Sequence, residues 1–232
     1  MTPLLDICNL SFRHPDGTQA LDDVSFQMKD GEGLAILGPN GSGKTTLLLQ
    51  INGILRGEGS IRVDGLEVSG TNIAEIRRRV GLVFQNADEQ LFMPTVLEDV
   101  MFGPLNLGFS RVSAEEKARA ALVQVGISEE LLNRPPFHLS AGEKRRVALA
   151  GVLVMQPKIL LLDEPTTSLD PPGQRALLEL LRDVPQPKVI ATHDAHFAAS
   201  LNGRAIFLEK GRLIADGPLD EVVRRFDWRP YP

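Results

Sequence analysis

Apolar and polar positions alternate over residues 3 to 37, with Leu4, Ile7, Leu10 and Phe12 on one side of the turn pair Asp16-Gly17 and Leu21, Val24 and Phe26 on the other. A period of two interrupted by Asp-Gly predicts antiparallel strands. The pattern then changes. Leu34 to Leu37 is a short, unbroken apolar run that leads directly into a glycine-rich segment, and Val80 to Phe84, Ile159 to Leu162 and Val189 to Ala191 have the same character. Short, bounded runs rich in branched residues predict strands buried on both faces of a parallel sheet. Thr45 to Leu55 reads as helix, Ser60 to Val68 as a hairpin about Asp64-Gly65, and Ala205 to Val223 as a hairpin about Lys210-Gly211 followed by a short helix.

Between Val96 and Met155 the periodicity becomes helical, and Ser113-Ala-Glu-Glu116 predicts a capping box ahead of Ala118, Ala121, Leu122 and Val125. The expected architecture is α/β: a parallel core sheet, an antiparallel β subdomain at the N-terminus and a helical insertion, all in one domain spanning residues 1–232. Its parts are residues 1–85 and 157–224 for the core with the antiparallel subdomain, 86–156 for the helical subdomain, and 225–232 for an irregular tail ending in Trp228-Arg-Pro-Tyr-Pro232.

Composition narrows the function classes. A chain of 232 residues with 43% hydrophobic content can bury a large core. The single cysteine, Cys8, excludes an internal disulfide and is expected in the core. The N-terminus lacks the pattern of a signal peptide, and no apolar run reaches the roughly 18 residues of a membrane span, so a soluble, non-exported protein is expected. Net charge is −5, and the basic cluster Arg77-Arg78-Arg79 is brief, so no nucleic-acid footprint is expected. Work at a membrane would require docking on an integral partner.

Gly38, Pro39, Asn40, Gly41, Ser42, Gly43, Lys44 and Thr45, with Thr46 after them, place four free positions between glycines ahead of Gly-Lys-Thr, between a predicted strand and a predicted helix. That is the phosphate-binding loop: backbone amides curl around phosphate oxygens and the helix N-terminus adds its field. Lys44 should reach the β- and γ-phosphates and the Thr45 hydroxyl should ligate Mg²⁺. The strand Ile159 to Leu162 delivers Asp163 and Glu164 at its C-terminal edge, where open α/β sheets hold ligands. Asp163 is the second metal-site candidate, which leaves Glu164 to orient or polarise an attacking water.

With these residues in hand, the chain resembles the ATP-binding cassette ATPases, phosphate-loop NTPases that drive transporters. Besides the loop and the acidic strand, it carries Gln85 after Val80-Gly-Leu-Val-Phe84, the segment Leu139-Ser140-Ala141-Gly142-Glu143, Ser168-Leu-Asp170, and Ala191-Thr-His193-Asp194, in the family's order and approximate spacing. The resemblance implies that Gln85 senses Mg²⁺ and the attacking water beside the transport partner, and that His193 bonds the γ-phosphate. It implies that Asp170 speaks to the opposite subunit and that the segment from Leu139 to Glu143 completes the ATP site of a second cassette. Locally, Ser140 with Glu143 is also a capping box and Asp170 also a helix cap, and both readings stand together.

The sequence departs from the family at Ala141, usually glycine, at Glu143, usually glutamine, and at His14, where relatives commonly stack tyrosine on adenine. Glu143 brings negative charge toward the nucleotide edge while Ser140 and Gly142 are retained, so slowed or retuned hydrolysis at most is expected. An imidazole offers less stacking area, so altered adenine preference and affinity are expected of His14. His14, His138, His193 and His196 show no transition-metal spacing, leaving Mg²⁺ with ATP as the expected cofactor.

Phe84-Gln-Asn-Ala-Asp-Glu-Gln-Leu-Phe92, Pro94 to Val100 and Phe102 to Gly108 resemble the energy-coupling-factor importers of cobalt, nickel and vitamins. That implies a second cassette, with a homodimer preferred over a heterodimer, an integral membrane coupling subunit docking near Gln85, a membrane substrate-binding subunit, and a peripheral place on the cytoplasmic face. On overall resemblance the solute is cobalt or nickel, with a vitamin as the alternative. A soluble cassette acting on DNA or ribosomes, a phosphate-loop kinase, and a regulatory module without turnover are the competing classes; the first usually has long inserts, the second leaves Leu139 to Glu143 and His193 unexplained, and Glu164 argues against the third.

Overall fold

The computed structural model describes residues 2–228. In chain order its elements begin with β1 (Leu5–Arg13), β2 (Gln19–Met28), β3 (Leu34–Leu37), α1 (Lys44–Ile51), β4 (Glu58–Val63), β5 (Leu66–Glu67), α2 (Ile73–Arg79) and β6 (Val80–Val83). They continue with α3 (Val96–Asn106), α4 (Arg111–Gln124), α5 (Ala141–Leu153), β7 (Ile159–Asp163) and α6 (Pro171–Asp183). The last are β8 (Lys188–Ala191), α7 (Ala195–Ala199), β9 (Arg204–Glu209), β10 (Arg212–Pro218) and α8 (Leu219–Arg225). The chain separates into two compact units: the first runs to Leu82 and adds Lys158–Glu164 and the chain from Pro185 onward, and the second comprises Val83–Pro157 and Pro165–Val184. The expected boundaries differ from this division, since residues 165–184, with α6, group with the helical insertion rather than with the core.

In the first unit, a four-stranded sheet runs β2-β1-β4-β5 with antiparallel pairing. A six-stranded sheet runs β10-β9-β3-β8-β7-β6, in which β9, β3, β8 and β7 are parallel and β10 returns antiparallel on β9. Every residue of β3 and β7 is buried, which is why these segments read as unbroken apolar runs. The hairpin corners need left-handed backbone at two successive positions, and Asp64-Gly65 (φ 50° and 74°) and Lys210-Gly211 (φ 48° and 79°) supply it. Helix α1 ends at Ile51 rather than at Leu55, because Gly53 turns the chain out of the helix at φ 72°.

Cys8 is exposed rather than in the core. Ile7 takes the buried face of β1, so its neighbour points outward. Ile7 and Leu10 are both buried although three residues apart, because β1 shifts register between them and Asn9 adopts φ 49°. The extra residue of this bulge restores Leu10 to the inner face.

In the second unit, α3, α4 and α5 pack on one another, and Val96, Val100, Ala118, Leu122, Val147 and Leu149 on them are buried. Helix α4 starts earlier than its expected cap at Ser113: Ser110 is the N-cap, and its side chain accepts from the Ser113 amide. Both serines suit a cap, and the one that precedes the first helical turn takes the role. The expected capping box of α5 forms between Ser140 and Glu143. Of the predicted tail, residues 229–232 lie outside the described residues. Trp228 packs in the first unit, edge-on to Phe207 with centroids 5.2 Å apart, while Phe226 stacks on Phe207 at 3.9 Å.

Candidate functional site

Strand β3 ends in the glycine-rich loop and α1 begins immediately after it. Gly38, at φ 145°, could not carry a side chain: a Cβ there would lie 2.1 Å from the Leu208 carbonyl oxygen. Gly43, at φ 104°, is equally confined, 2.4 Å from the Ala20 oxygen. Gly43 is also the N-cap of α1 and provides no side-chain cap, so the first amides of the helix keep their donors for a ligand. Ser42 is 2% exposed and its hydroxyl has no partner among the described residues. A buried, unpaired hydroxyl beside open amides suits an oxygen-rich anion.

Lys44 donates from Nζ to the Gly38 and Pro39 carbonyl oxygens at 2.8 and 3.3 Å. Its ammonium stands 3.6 Å from Glu164 Oε1, and the two side chains are 6% and 8% exposed. Burying two charges is costly unless each is paired and hydrogen-bonded. Glu164 meets that condition through its other oxygen: Oε2 accepts from Thr192 Oγ1 at 3.1 Å, from the His193 amide at 3.3 Å and from His193 Nδ1 at 2.8 Å. Bonding a carboxylate through Nδ1 places the histidine proton there and turns Nε2 away from Glu164. The His193 side chain is 62% exposed, so that nitrogen can meet an incoming ligand.

The backbone of Glu164 is left-handed, at φ 41°. Such a conformation is uncommon for a side chain of this length, and it aims the carboxylate at the end of β8. One residue earlier, Asp163 Oδ1 accepts from Thr45 Oγ1 at 3.1 Å. A hydroxyl and a carboxylate side by side are hard oxygen donors, the set that Mg²⁺ prefers. The structure therefore brings together Thr45 with Asp163, and Lys44 with Glu164 and His193. His14, on the β1–β2 turn, lies edge-on to Phe12 with ring centroids 5.0 Å apart.

Gln85, Leu139 to Glu143 and Asp170 belong to the second unit. Gln85 is exposed, and its carbonyl accepts from Arg145 at 2.6 Å. Ser140 donates its hydroxyl to Glu143 Oε2 at 2.7 Å and its amide to the same oxygen at 2.8 Å. The Ser140 hydroxyl and then its amide hold the Glu143 carboxyl below its ordinary pKa. Asp170 caps α6 by accepting from the Gly173 amide at 2.9 Å, so the local capping role is realised.

Thr192 was missed by sequence reasoning, although it directly precedes His193 at the end of a buried strand and is 0% exposed. Trp228 was missed as well; it donates from Nε1 to the His193 carbonyl at 3.2 Å, and an aromatic residue at the start of a proline-containing tail gives no sequence signal of that bond.

Residues 21–167 match the family model described as ABC transporter. A Streptomyces coelicolor chain provisionally named an ABC transporter ATP-binding protein is 52% identical over 215 residues, covering 92% of this chain and 82% of that one. The energy-coupling factor transporter ATP-binding protein EcfA of Methanocaldococcus jannaschii is 44% identical over 225 residues, covering 94% and 80%. Among solved structures, cbiO1 of Clostridium perfringens, part of the ABC transporter complex cbiONQ, superposes with a TM-score of 0.85 at 38% identity, over 98% of this chain and 93% of that one. The cassette MJ0796, solved as a dimer bound to ADP and Pi after hydrolysis, superposes with a TM-score of 0.82 at 29% identity, over 93% and 98%.

The chain belongs to the ABC transporter family. Its activity is ATP hydrolysis, and it is a motor subunit. Among the described residues no helix is long and apolar enough to cross a membrane.

Proposed function

We propose that this motor serves an energy-coupling-factor importer for cobalt or nickel ions, bound peripherally at the cytoplasmic face of a membrane. The observation that carries the catalytic part is the Lys44–Glu164–His193 constellation, in which one buried carboxylate is held by an ammonium, a hydroxyl and an imidazole. Similarity to EcfA and to cbiO1 supports the importer type. Residues 1–232 act as one cassette, with the helical part carrying Leu139 to Glu143.

Residues Gly38 to Thr46 wrap the triphosphate, Lys44 leaves its carbonyl partners to bind β- and γ-oxygens, and His14 lies against the adenine. Thr45, Asp163 and Gln85 would hold Mg²⁺, which when bound neutralises phosphate charge. Glu164 accepts a hydrogen bond from the attacking water and polarises it, while His193 Nδ1 keeps the carboxylate aimed and Nε2 faces the γ-phosphate. Leu139, Ser140, Ala141, Gly142 and Glu143 of a second cassette complete the shell, with Asp170 linking the two copies. A membrane coupling subunit docks on the face carrying Gln85 and Phe92, and a separate membrane subunit selects the solute.

Glu164→Gln tests the reading. ATP binding should persist while turnover falls by roughly 10²–10⁴-fold, and sedimentation with MgATP should show a dimer that the apo form lacks. Unchanged turnover would overturn the role of Glu164. Mass spectrometry of the complex captured from its native membrane identifies the solute-binding subunit and separates metal from vitamin import.

A further inference from the structure

Arg145 lies on α5, five positions after Ser140, and is 4% exposed. A guanidinium carries five donors in a rigid plane, and burial obliges them to find acceptors. Nη1 donates to the Phe84 carbonyl and Nη2 to the Gln85 carbonyl, each at 2.6 Å, and Nη2 lies 3.5 Å from the Thr167 carbonyl. One side chain therefore grips two consecutive peptides of the Gln85 loop and reaches the strand of chain that leads to Asp170.

Two further links tie the same loop to the same helix. Gln90 accepts from the Phe84 amide at 3.3 Å and donates to the Ala148 carbonyl of α5 at 2.8 Å. Lys144 pairs with Asp88 at 2.6 Å. Residues 84 to 90 are thus fastened to α5 at three places, and the buried Arg145 is the link nearest Gln85. A backbone held through consecutive carbonyls cannot rotate its peptides without breaking a short, charge-assisted bond.

We infer that Arg145 is a positioning residue for ATP hydrolysis, locking the Gln85 loop and the segment before Asp170 to the helix that starts at Ser140. This rests on the roles proposed above for Gln85 and Ser140. Movement of the loop is then passed to Ser140 as a displacement of α5 rather than absorbed by the intervening chain. Lysine would not substitute fully, because a point-like ammonium lacks the planar fork that spans both carbonyls.

A double-mutant cycle on kcat tests it, with Arg145→Met and Arg145→Lys each made alone and with Gln85→Ala. Arg145→Met should lower kcat about tenfold, as misplacement of catalytic groups does, while nucleotide affinity by equilibrium titration stays within about twofold. Arg145→Lys should lie between. With Gln85→Ala present, the further loss should shrink below about twofold, since residues acting through one another are not additive. Hydrogen exchange at residues 84 to 90 should quicken. If Arg145→Met fails to fold, Arg145→Lys carries the cycle. The same loss in both backgrounds, or an unchanged kcat in folded variants, would overturn this inference alone. Parental kcat in Gln85→Ala would overturn the reading of Gln85, and this inference with it.

Discussion

His193 Nδ1 lies 2.8 Å from Glu164 Oε2, across a sequence separation of 29 residues. The adjacent parallel strands β7 and β8 make the meeting possible, since Asp163 pairs with Ala191 in register and the chain ends of both strands open on the same edge. Thr192 adds a third side chain to this edge without itself reaching solvent. The carboxylate is consequently aimed by groups at the end of β8 rather than by its own neighbours in sequence.

Removing those aiming groups should separate positioning from binding. Thr192→Val takes away one hydrogen bond to a charged, buried acceptor, a loss of about 1.5–3 kcal/mol. His193→Ala removes both an aiming group and the proposed γ-phosphate contact, so its kcat should fall further than that of Thr192→Val. Steady-state ATPase assays with nucleotide titration check both, and equal kcat values for parent and His193→Ala would remove His193 from the mechanism.

Glycines of the phosphate loop should divide into two kinds. Gly38→Ala forces a Cβ into the Leu208 carbonyl at 2.1 Å, so the strand–loop junction must shift and thermal stability should drop along with nucleotide binding. Gly41, at φ 78°, has nothing within 4 Å of the point where a Cβ would lie. Gly41→Ala should cost only the left-handed backbone penalty of about 1–2 kcal/mol. Thermal melts with and without MgATP compare the two.

Much of this site is legible in the sequence alone. Strands β3, β7 and β8 are buried on both faces and so announce themselves as apolar runs, and the loop and acidic pair sit at their ends. Arg145 is not legible, because a charged residue in the first turns of a helix that also carries Lys144 and Arg146 reads as solvated. Only packing shows it buried against carbonyls from distant loops. Cys8 misleads for a different reason: cysteine is a commonly buried residue type, but Ile7 takes the inner face of β1 and alternation turns its neighbour outward. The start of α4 is shifted because Ser110 and Ser113 have equal capping chemistry, and the choice depends on where the preceding chain leaves α3.

Exposed aromatic groups of the second unit should matter for assembly and not for chemistry. Phe92 is 63% and Phe102 42% exposed, and their rings meet edge-to-face at 4.9 Å. Asp99 holds the loop at Phe92 by accepting from the Phe92 and Met93 amides at 3.0 Å. A paired, exposed aromatic group on a pinned loop is suited to enter an apolar groove of a partner. Phe92→Ser combined with Phe102→Ser should leave the ATPase rate of the isolated cassette within about twofold and abolish co-purification with the membrane subunits. Retained co-purification would place the docking face elsewhere.

The Ser140–Glu143 pair ties stability to pH in a stated direction. Glu143 is held below its ordinary pKa by the Ser140 hydroxyl and amide, so the folded state binds this proton less readily than the unfolded chain. Its contribution is present above the unfolded glutamate pKa and is lost as pH falls through the lower folded value. Ser140→Ala should cost about 1 kcal/mol at any pH through loss of the bond that its hydroxyl accepts from the Glu143 amide, and a further amount at neutral pH, through loss of the bond it donates to Glu143 Oε2, that fades in acid as this carboxylate protonates. Glu143→Gln keeps a side chain able to accept from Ser140 while removing the charge that opposes a phosphate, so MgATP-driven dimers should form at lower nucleotide concentration than in the parent. Sedimentation against MgATP at neutral pH reads this directly, and a Glu143→Gln variant that needs more nucleotide would show that the carboxylate supports closure instead of opposing it.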